Sequence, residues 1–268
     1  MRRWIAIALV TTMAQPVLAD EGEPLVARPK LEWALVAAGG ALWLTETLAI
    51  GELAPADCRW CDSNAIDEAA RAVEWGDPQA ARRISDVLSY GLVPLAAGGL
   101  QTLGALQDGR PGDLATDLVI VAESAVIAGV SGDFIRVVTG RERPWIHDLD
   151  PEDKPLTERP EQNNLSFISG HTATAFAIAV SGGTVAQRRG RRIAPVLWAS
   201  GLTLGAVSGY LRIASGQHYL TDVVAGVGWG IAIGLAVPYL HRGRARDGAV
   251  AATLAPAPGG GLLLVTFR

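Results

Sequence analysis

Two histidines stand in short polar clusters whose residue types suit nucleophilic and acid–base chemistry. His218 precedes Asp222 by four residues at the start of an apolar run, so both side chains would share one helix face. A carboxylate that accepts a hydrogen bond from one ring nitrogen fixes the tautomer and frees the other nitrogen for attack. The pair therefore predicts His218 as a nucleophile oriented by Asp222, although such a pair alone is more often an ordinary helix start.

The second cluster is Ser169-Gly170-His171, which directly precedes an uncharged run that ends at Gln187. Backbone N–H groups at a helix start point towards an anion, and a glycine lets a ligand approach the main chain. Ser169 would add a hydroxyl donor, and His171, which has no carboxylate at the spacing of the first pair, would protonate a leaving oxygen. The common alternative is a helix cap formed by Ser169 or Thr172.

Arginines supply the third element of the pattern. Arg136, Arg141 and Arg143 lie within eight residues, and Arg212 precedes His218 by six. Forked guanidinium groups match phosphate oxygens, and phosphoryl transfer depends on positioning and on positive charge around the phosphorus. We expect Arg136, Arg143 and Arg212 to hold one phosphate between the histidines. Because no Asp/Glu/His cluster in the sequence suggests a two-metal site, we expect no metal and no cofactor.

Together the clusters resemble the three-part signature of the type 2 phosphatidic acid phosphatase superfamily, which also includes vanadium haloperoxidases and bacterial non-specific acid phosphatases. The matching positions are Arg136, Arg143, Pro144, Ser169, Gly170, His171, Arg212, His218 and Asp222. Three positions depart from the pattern: Arg136 replaces a lysine, Ile168 a proline and Leu211 a serine. The resemblance extends over about residues 85–242. It implies a helical bundle, often of six membrane helices with an exported site, and a phosphohistidine intermediate.

The function implied is metal-independent hydrolysis of a phosphomonoester or a diphosphate, which we expect to be carried by a lipid. Phosphatidic acid, phosphatidylglycerol phosphate, undecaprenyl diphosphate and lipid A phosphates all remain candidates, because the motifs bind phosphate and specify nothing else. The alternatives are a vanadate-dependent haloperoxidase and a non-catalytic lipid-phosphate-binding protein. Beyond the phosphorylated lipid or small phosphoester, we expect the membrane as a partner, and the net charge of -4 does not favour a nucleic acid.

The elements that would position these residues are long apolar runs. Of the 268 residues, 49% are hydrophobic and 19% are charged. Runs too long for strands predict α-helices, and they cover residues 31–50, 87–107, 114–138, 172–187, 193–211 and 219–240. The sequence thus predicts an all-α bundle of about six core helices. Two β-prone runs around residues 256–261 predict a hairpin in the C-terminal tail.

Charge in the loops predicts the orientation of this bundle. Spanning helices need about 20 apolar residues, and several of the runs approach that length. The arginine-rich stretches 188–192 and 241–246 would be cytoplasmic, which places residues 139–171 and 212–218 on the exported side. We therefore expect an inner-membrane protein whose site faces the periplasm. The alternative is a soluble periplasmic bundle.

The remaining features concern the ends and the cysteines. Arg2 and Arg3 precede an apolar run, and small residues at positions 17 and 19 suit cleavage after Ala19; the alternative is an uncleaved first helix. The predicted organisation is a signal peptide at 1–19, a linker at 20–30, a phosphatase helical-bundle domain at 31–246 and a tail at 247–268. Cys58 and Cys61 predict a disulfide that closes a tight loop, since no further cysteine pair completes a zinc site.

Overall fold

The computed structural model describes residues 24–72, 76–243, 251–257 and 260–266. The predicted signal peptide, the first part of the predicted linker and parts of the predicted tail lie outside the described residues. The α-helices are α1 (Pro29–Leu48), α2 (Ile50–Leu53), α3 (Ala65–Arg71), α4 (Pro78–Val87), α5 (Val93–Gln107), α6 (Leu114–Thr139), α7 (Pro144–His147), α8 (Gly170–Arg188), α9 (Ala194–Ala214) and α10 (Leu220–Leu240). A π-helical segment, Leu88–Leu92, joins α4 to α5, and 3-10 segments cover Pro111–Asp113, Lys154–Leu156 and Pro160–Gln162.

Helix α8 forms the centre of the bundle. Every residue from Thr172 to Ala186 is buried, and α6, α9 and α10 pack around this uncharged stretch. Small residues let the backbones approach closely: a Cβ atom on Gly230 of α10 would lie 2.4 Å from the carbonyl oxygen of Ala173. The all-α bundle predicted from the sequence, with about six long helices among the described residues, is confirmed.

Three helical segments could reach across a bilayer. Residues 111–139, which end in α6, together with α9 and α10, are long and apolar enough to cross a membrane. Apolar side chains also face outwards on the bundle, among them Leu95 and Val224, which are 73% and 61% exposed. These features indicate a membrane protein, as the sequence predicted.

The C-terminal hairpin is also confirmed. Strand β1 (Ala251–Ala257) pairs antiparallel with β2 (Gly260–Thr266). The two strands form a sheet of their own.

The first and last described segments of the bundle meet at the end of α10. The Val26 N–H donates to the carbonyl oxygen of His241 at 2.8 Å, and the Gly243 N–H donates to that of Pro24 at 2.7 Å. The histidine-bearing start of α10 lies at the opposite end of this helix, about 30 Å away for 20 residues of α-helix.

A short loop closed by a disulfide covers the end of α6. Cys58 and Cys61 are bonded, with their Cα atoms 5.4 Å apart. The guanidinium of Arg59, inside this loop, donates to the carbonyl oxygen of Val138 at 2.8 Å. Its backbone N–H donates to the carbonyl of Gly140, which ends α6 in the left-handed region at φ 56°. The loop thus satisfies carbonyl groups that a helix end leaves free.

Candidate active site

His218 lies directly before α10 and is almost fully buried. Its Nδ1 donates to the carbonyl oxygen of Ser166 at 2.6 Å. Its Nε2 is buried and has no hydrogen-bond partner in the part of the chain that the structure describes. Because Nδ1 carries the proton in this arrangement, Nε2 keeps a free lone pair, as a nucleophile requires.

The predicted contact between Asp222 and His218 was wrong in its detail. The Asp222 carboxylate lies 3.9 Å from His218 Nδ1, beyond hydrogen-bonding distance. It accepts instead from the Ser166 hydroxyl at 2.6 Å and from the Tyr219 N–H at 2.9 Å. A carboxylate in the first turn of a helix is drawn to free N–H groups there, which explains the preference. Asp222 therefore positions His218 through Ser166.

Arg141 balances the charge of Asp222 below the site. Its guanidinium is fully buried and forms ion pairs with both Asp222 and Asp67, the latter at 2.7 Å. It also lies between two aromatic rings, 4.0 Å from the centroid of Trp60 and 4.2 Å from that of Tyr219. Arg141 thus stabilises the buried Asp222 carboxylate next to His218. No local feature of the sequence indicated that Asp67 belongs to this group.

Two of the predicted phosphate-binding arginines converge on one neutral amide. The side-chain oxygen of Gln217 accepts from Arg143 at 2.6 Å and from Arg212 at 3.4 Å. Both arginines are buried. Burial, with the nearby charges of Arg212 and Arg136, holds the pKa of the Arg143 guanidinium well below its usual value. An anion bound between these cations would relieve their repulsion.

The third arginine, Arg136, lies in the last turn of α6 beside the start of α8. It forms an ion pair with Asp133. A Cβ atom on Gly170 would lie 3.6 Å from its Cζ atom, so Gly170 opens the main chain to this guanidinium. Arg136 is therefore brought to the end of the bundle that holds His171.

The Ser169 hydroxyl contacts another side chain of the same helix start. It is fully buried, and its hydroxyl lies 2.8 Å from that of Thr172. Its backbone N–H donates to the carbonyl oxygen of Asp222 at 3.1 Å. The hydroxyl is bonded within the first turn of α8, as serine hydroxyls often are, and its contact with a phosphate stays a prediction.

His171 has a carboxylate partner that its own sequence neighbourhood did not reveal. Its Nε2 lies 2.7 Å from Asp86 of α4, and Asp86 also pairs with Arg212 at 3.1 Å. Burial and the positive charge of Arg212 lower the pKa of His171 to about 3, while Asp86 acts in the opposite direction. The imidazole is therefore neutral until further negative charge enters the site.

Several of these residues line a cavity of about 530 Å³, and His218 lies outside its lining. Its lining includes the ionisable side chains of Asp86, Asp133, Arg136, Arg143, His171 and Arg212. It also includes Trp43, Ile50 and Tyr90, and the rings of Trp43 and Tyr90 are 5.9 Å apart. The cavity therefore suits a ligand with an anionic head and an apolar remainder.

Three side chains of the types that bind metal ions lie close together, and none of them lines this cavity. Ligand atoms of Glu32, Glu123 and His241 lie within 4.8 Å of one another, on α1, on α6 and after α10. His241 Nε2 is 3.2 Å from Glu123 and 3.6 Å from Glu32. The sequence did not suggest this group, because the three residues are far apart along the chain.

The sequence of the bundle matches a known family. Residues 117–246 match the model of the PAP2 superfamily. This part of the chain belongs to that superfamily. The PAP2 region contains every predicted catalytic and phosphate-binding residue from Arg136 to Asp222, whereas Asp86 and Asp67 lie before it.

Comparison with individual proteins adds little to the PAP2 assignment. No curated protein matches the chain. The structure is similar to one titled "Crystal structure of the first transmembrane PAP2 type phosphatidylglycerolphosphate phosphatase from Bacillus subtilis", with a TM-score of 0.37 and 17% sequence identity. That similarity covers 75% of this chain and 94% of the other. A likeness of this size carries no argument about function.

Proposed function

We propose that this PAP2 chain is a metal-independent phosphatase that hydrolyses a lipid phosphomonoester or diphosphate through a phosphohistidine on His218. The observation that carries the proposal is the buried, unpartnered Nε2 of His218 among the described residues. Burial, with the charges of Arg143 and Arg212, holds the pKa of His218 well below its usual value. The ring is therefore neutral near pH 7 and is available as a nucleophile.

The reaction divides into two balanced steps. In the first, Nε2 of His218 attacks phosphorus, the bond from phosphorus to the leaving oxygen breaks, and protonated His171 gives its proton to that oxygen. In the second, water attacks the phosphohistidine, the phosphorus–nitrogen bond breaks, and His171 takes a proton from the water. Arg136, Arg143 and Arg212 stabilise the negative charge on the phosphate oxygens throughout.

Proton donation by His171 depends on the substrate itself. Without a ligand, this imidazole is neutral, because burial and Arg212 disfavour its cation. A phosphate that carries negative charge into the cavity offsets the arginines and raises the proton affinity of His171. The acid is thus charged when the leaving group is present to receive its proton.

The lipid nature of the substrate is supported by the walls of the cavity. Trp43, Ile50 and Tyr90 add apolar and aromatic lining to it, and the apolar helices would place the protein among acyl chains. We further propose that the site faces the exported side. The 188–192 arginines and Arg242 lie at or beyond the ends of α8 and α10 that are away from the site, where the positive-inside rule places the cytoplasm.

Rapid quench of the purified protein with radiolabelled phosphatidic acid, in excess EDTA, tests the proposal. The native protein should release phosphate and form an acid-labile phosphoenzyme, and His218→Ala should do neither. His147→Ala is the matched control, because His147 lies outside the cavity and contacts Glu142. A phosphoenzyme that persists in His218→Ala, or activity that is lost in EDTA and restored by magnesium, would contradict the mechanism.

A further inference from the structure

A second, smaller cavity of about 200 Å³ adjoins the proposed reaction site. The two cavities share four wall residues, Arg82, Arg159, Gln162 and Gln217. Gln217 is also the residue whose amide oxygen holds Arg143 and Arg212. The second cavity is therefore adjacent to the place where the scissile phosphate is proposed to bind.

Two arginines lie where the cavities meet. Neither the Arg82 guanidinium on α4 nor that of Arg159 in the loop before α8 forms a hydrogen bond or an ion pair with any residue in the described ranges. Glu158 is the acidic residue on the wall of the second cavity. Asp86, one turn from Arg82, is already paired with His171 and Arg212. The lining of the second cavity itself holds two positive charges and one negative charge, a balance that favours an anion.

A neutral donor also belongs to a residue that lines this space. The indole Nε1 of Trp145 is buried and has no hydrogen-bond partner in the described part of the chain, and Trp145 lines the second cavity. A buried N–H group without an acceptor is unfavourable, so an oxygen of a ligand would satisfy it. The indole therefore points to a ligand independently of the arginines.

The position of Arg82 indicates which part of a substrate would reach this cavity. Arg82 lies four residues before Asp86 on α4, so the two side chains share a face of the helix. Asp86 holds His171, the proposed proton donor to the leaving oxygen. A group bound by Arg82 would therefore belong to the leaving group and not to the phosphate that is attacked.

We propose that the second cavity is a subsite for a second phosphate group, carried by the leaving group next to the scissile phosphate. This inference rests on the proposed function and narrows its substrate class to lipids with two neighbouring phosphates. The second phosphate is either the inner half of a diphosphate or the phosphodiester of a phosphorylated head group. Arg82, Arg159 and the Trp145 indole bind its oxygens.

Two matched substrate pairs test the subsite. One pair is an isoprenyl diphosphate and the monophosphate of the same chain; the other is phosphatidylglycerol phosphate and phosphatidic acid. The double variant Arg82→Gln, Arg159→Gln should lower kcat/KM for the two-phosphate member about tenfold or more, chiefly through KM, and for its partner much less. Arg83→Gln is the matched control, because Arg83 is exposed and lines neither cavity.

The outcomes separate the subsite from the proposed reaction. A loss confined to the isoprenyl pair assigns a diphosphate, and a loss confined to the glycerolipid pair assigns a head-group phosphate. Equal losses for both members of each pair would overturn the subsite, since they indicate general attraction of anions. If the native protein turns over none of the substrates, the proposed function fails. Calorimetric titration with inorganic diphosphate and inorganic phosphate then tests the subsite without turnover. If the subsite exists, the native protein binds diphosphate more tightly than phosphate, and the double variant loses that preference. If the native protein shows no such preference, the subsite is overturned.

Discussion

The Asp86 carboxylate lies 2.7 Å from Nε2 of His171, although 85 residues separate the two in the chain. Asp86 also contacts Arg212 at 3.1 Å, so one carboxylate touches both a proposed acid and a proposed phosphate ligand. Its negative charge favours the protonated form of His171, whereas burial and Arg212 oppose that form. The proton affinity of His171 is therefore set by a balance of neighbouring charges.

Removing the charge of Asp86 should shift the pH dependence of turnover. The proposed acid must be protonated, so activity is lost as pH rises through the pKa of His171 in the substrate complex. Asp86→Asn removes a charge that stabilises the imidazolium, so the alkaline limb of the kcat profile should move to lower pH by about one unit or more. Asp150→Asn, in an exposed loop, should leave the profile in place. If the alkaline limb of the kcat profile does not move in Asp86→Asn, Asp86 does not affect the pKa of His171 in the substrate complex.

Removal of the His171 side chain should slow hydrolysis most for substrates with a poor leaving group. A nitrophenolate leaves without much protonation, whereas an alkoxide needs a proton as the bond breaks. His171→Ala should slow hydrolysis of an alkyl phosphate by roughly 10²–10⁴-fold and of p-nitrophenyl phosphate far less. Steady-state rates on both substrates check this. Equal losses on the two would assign His171 to binding and not to proton transfer.

Arg136 is the position where this chain departs from the lysine of the family pattern. Arg136→Lys keeps the positive charge beside Gly170 but replaces a planar fork by a point charge. We expect kcat/KM within about tenfold of the native value, or ~1.4 kcal/mol of barrier. Arg136→Gln, which removes the charge, should lose clearly more. A fall of several orders of magnitude in the lysine variant would mean that the site requires the guanidinium.

The buried pair of Arg141 and Asp67 should matter for stability more than for chemistry. Both side chains are fully buried, and neither lines the cavity. Asp67→Asn leaves Arg141 with Asp222 as its remaining anionic partner, at a cost of about 3 kcal/mol in the free energy of unfolding. Thermal unfolding in detergent should show a lower midpoint, with Asp62→Asn on the exposed loop as the control. An unchanged midpoint would show that Asp222 alone balances this arginine.

The spacing of residues predicted the members of the site better than their contacts. His218 and Asp222 lie at one helix start, as four-residue spacing requires, yet the carbonyl of Ser166 takes the hydrogen bond predicted for Asp222. Asp86 was missed because only the packing of α4 brings it to His171 and Arg212. Gln217 was missed because its contact with Arg143 joins the loop after α9 to the loop after α6. A local pattern does not distinguish such residues from other polar side chains.

The helices could be predicted where the apolar runs are long. Elsewhere the sequence has no local feature that indicates the structure. The uncharged runs predicted α8, α9 and α10 to within a few residues. Helix α4 begins at Pro78, after the N-cap residue Asp77. The sequence around it is polar and only partly helical in character, so it did not predict this helix. The π-helical segment Leu88–Leu92 then continues it into α5, and no residue in that segment distinguishes it from regular helix.

The hydrogen bonds between Pro24 and Gly243, and between Val26 and His241, bring the two limits of the bundle into contact. A linker of a few residues would therefore join them without disturbing the packing, and new ends could be opened at the exposed residues 150–153. In such a circular permutant α8, with its histidine, would be the first α-helix synthesised, and α6, with its arginine, would come near the end, followed by α7. The order in which the helices emerge from the ribosome is thus separable from the bundle that they form.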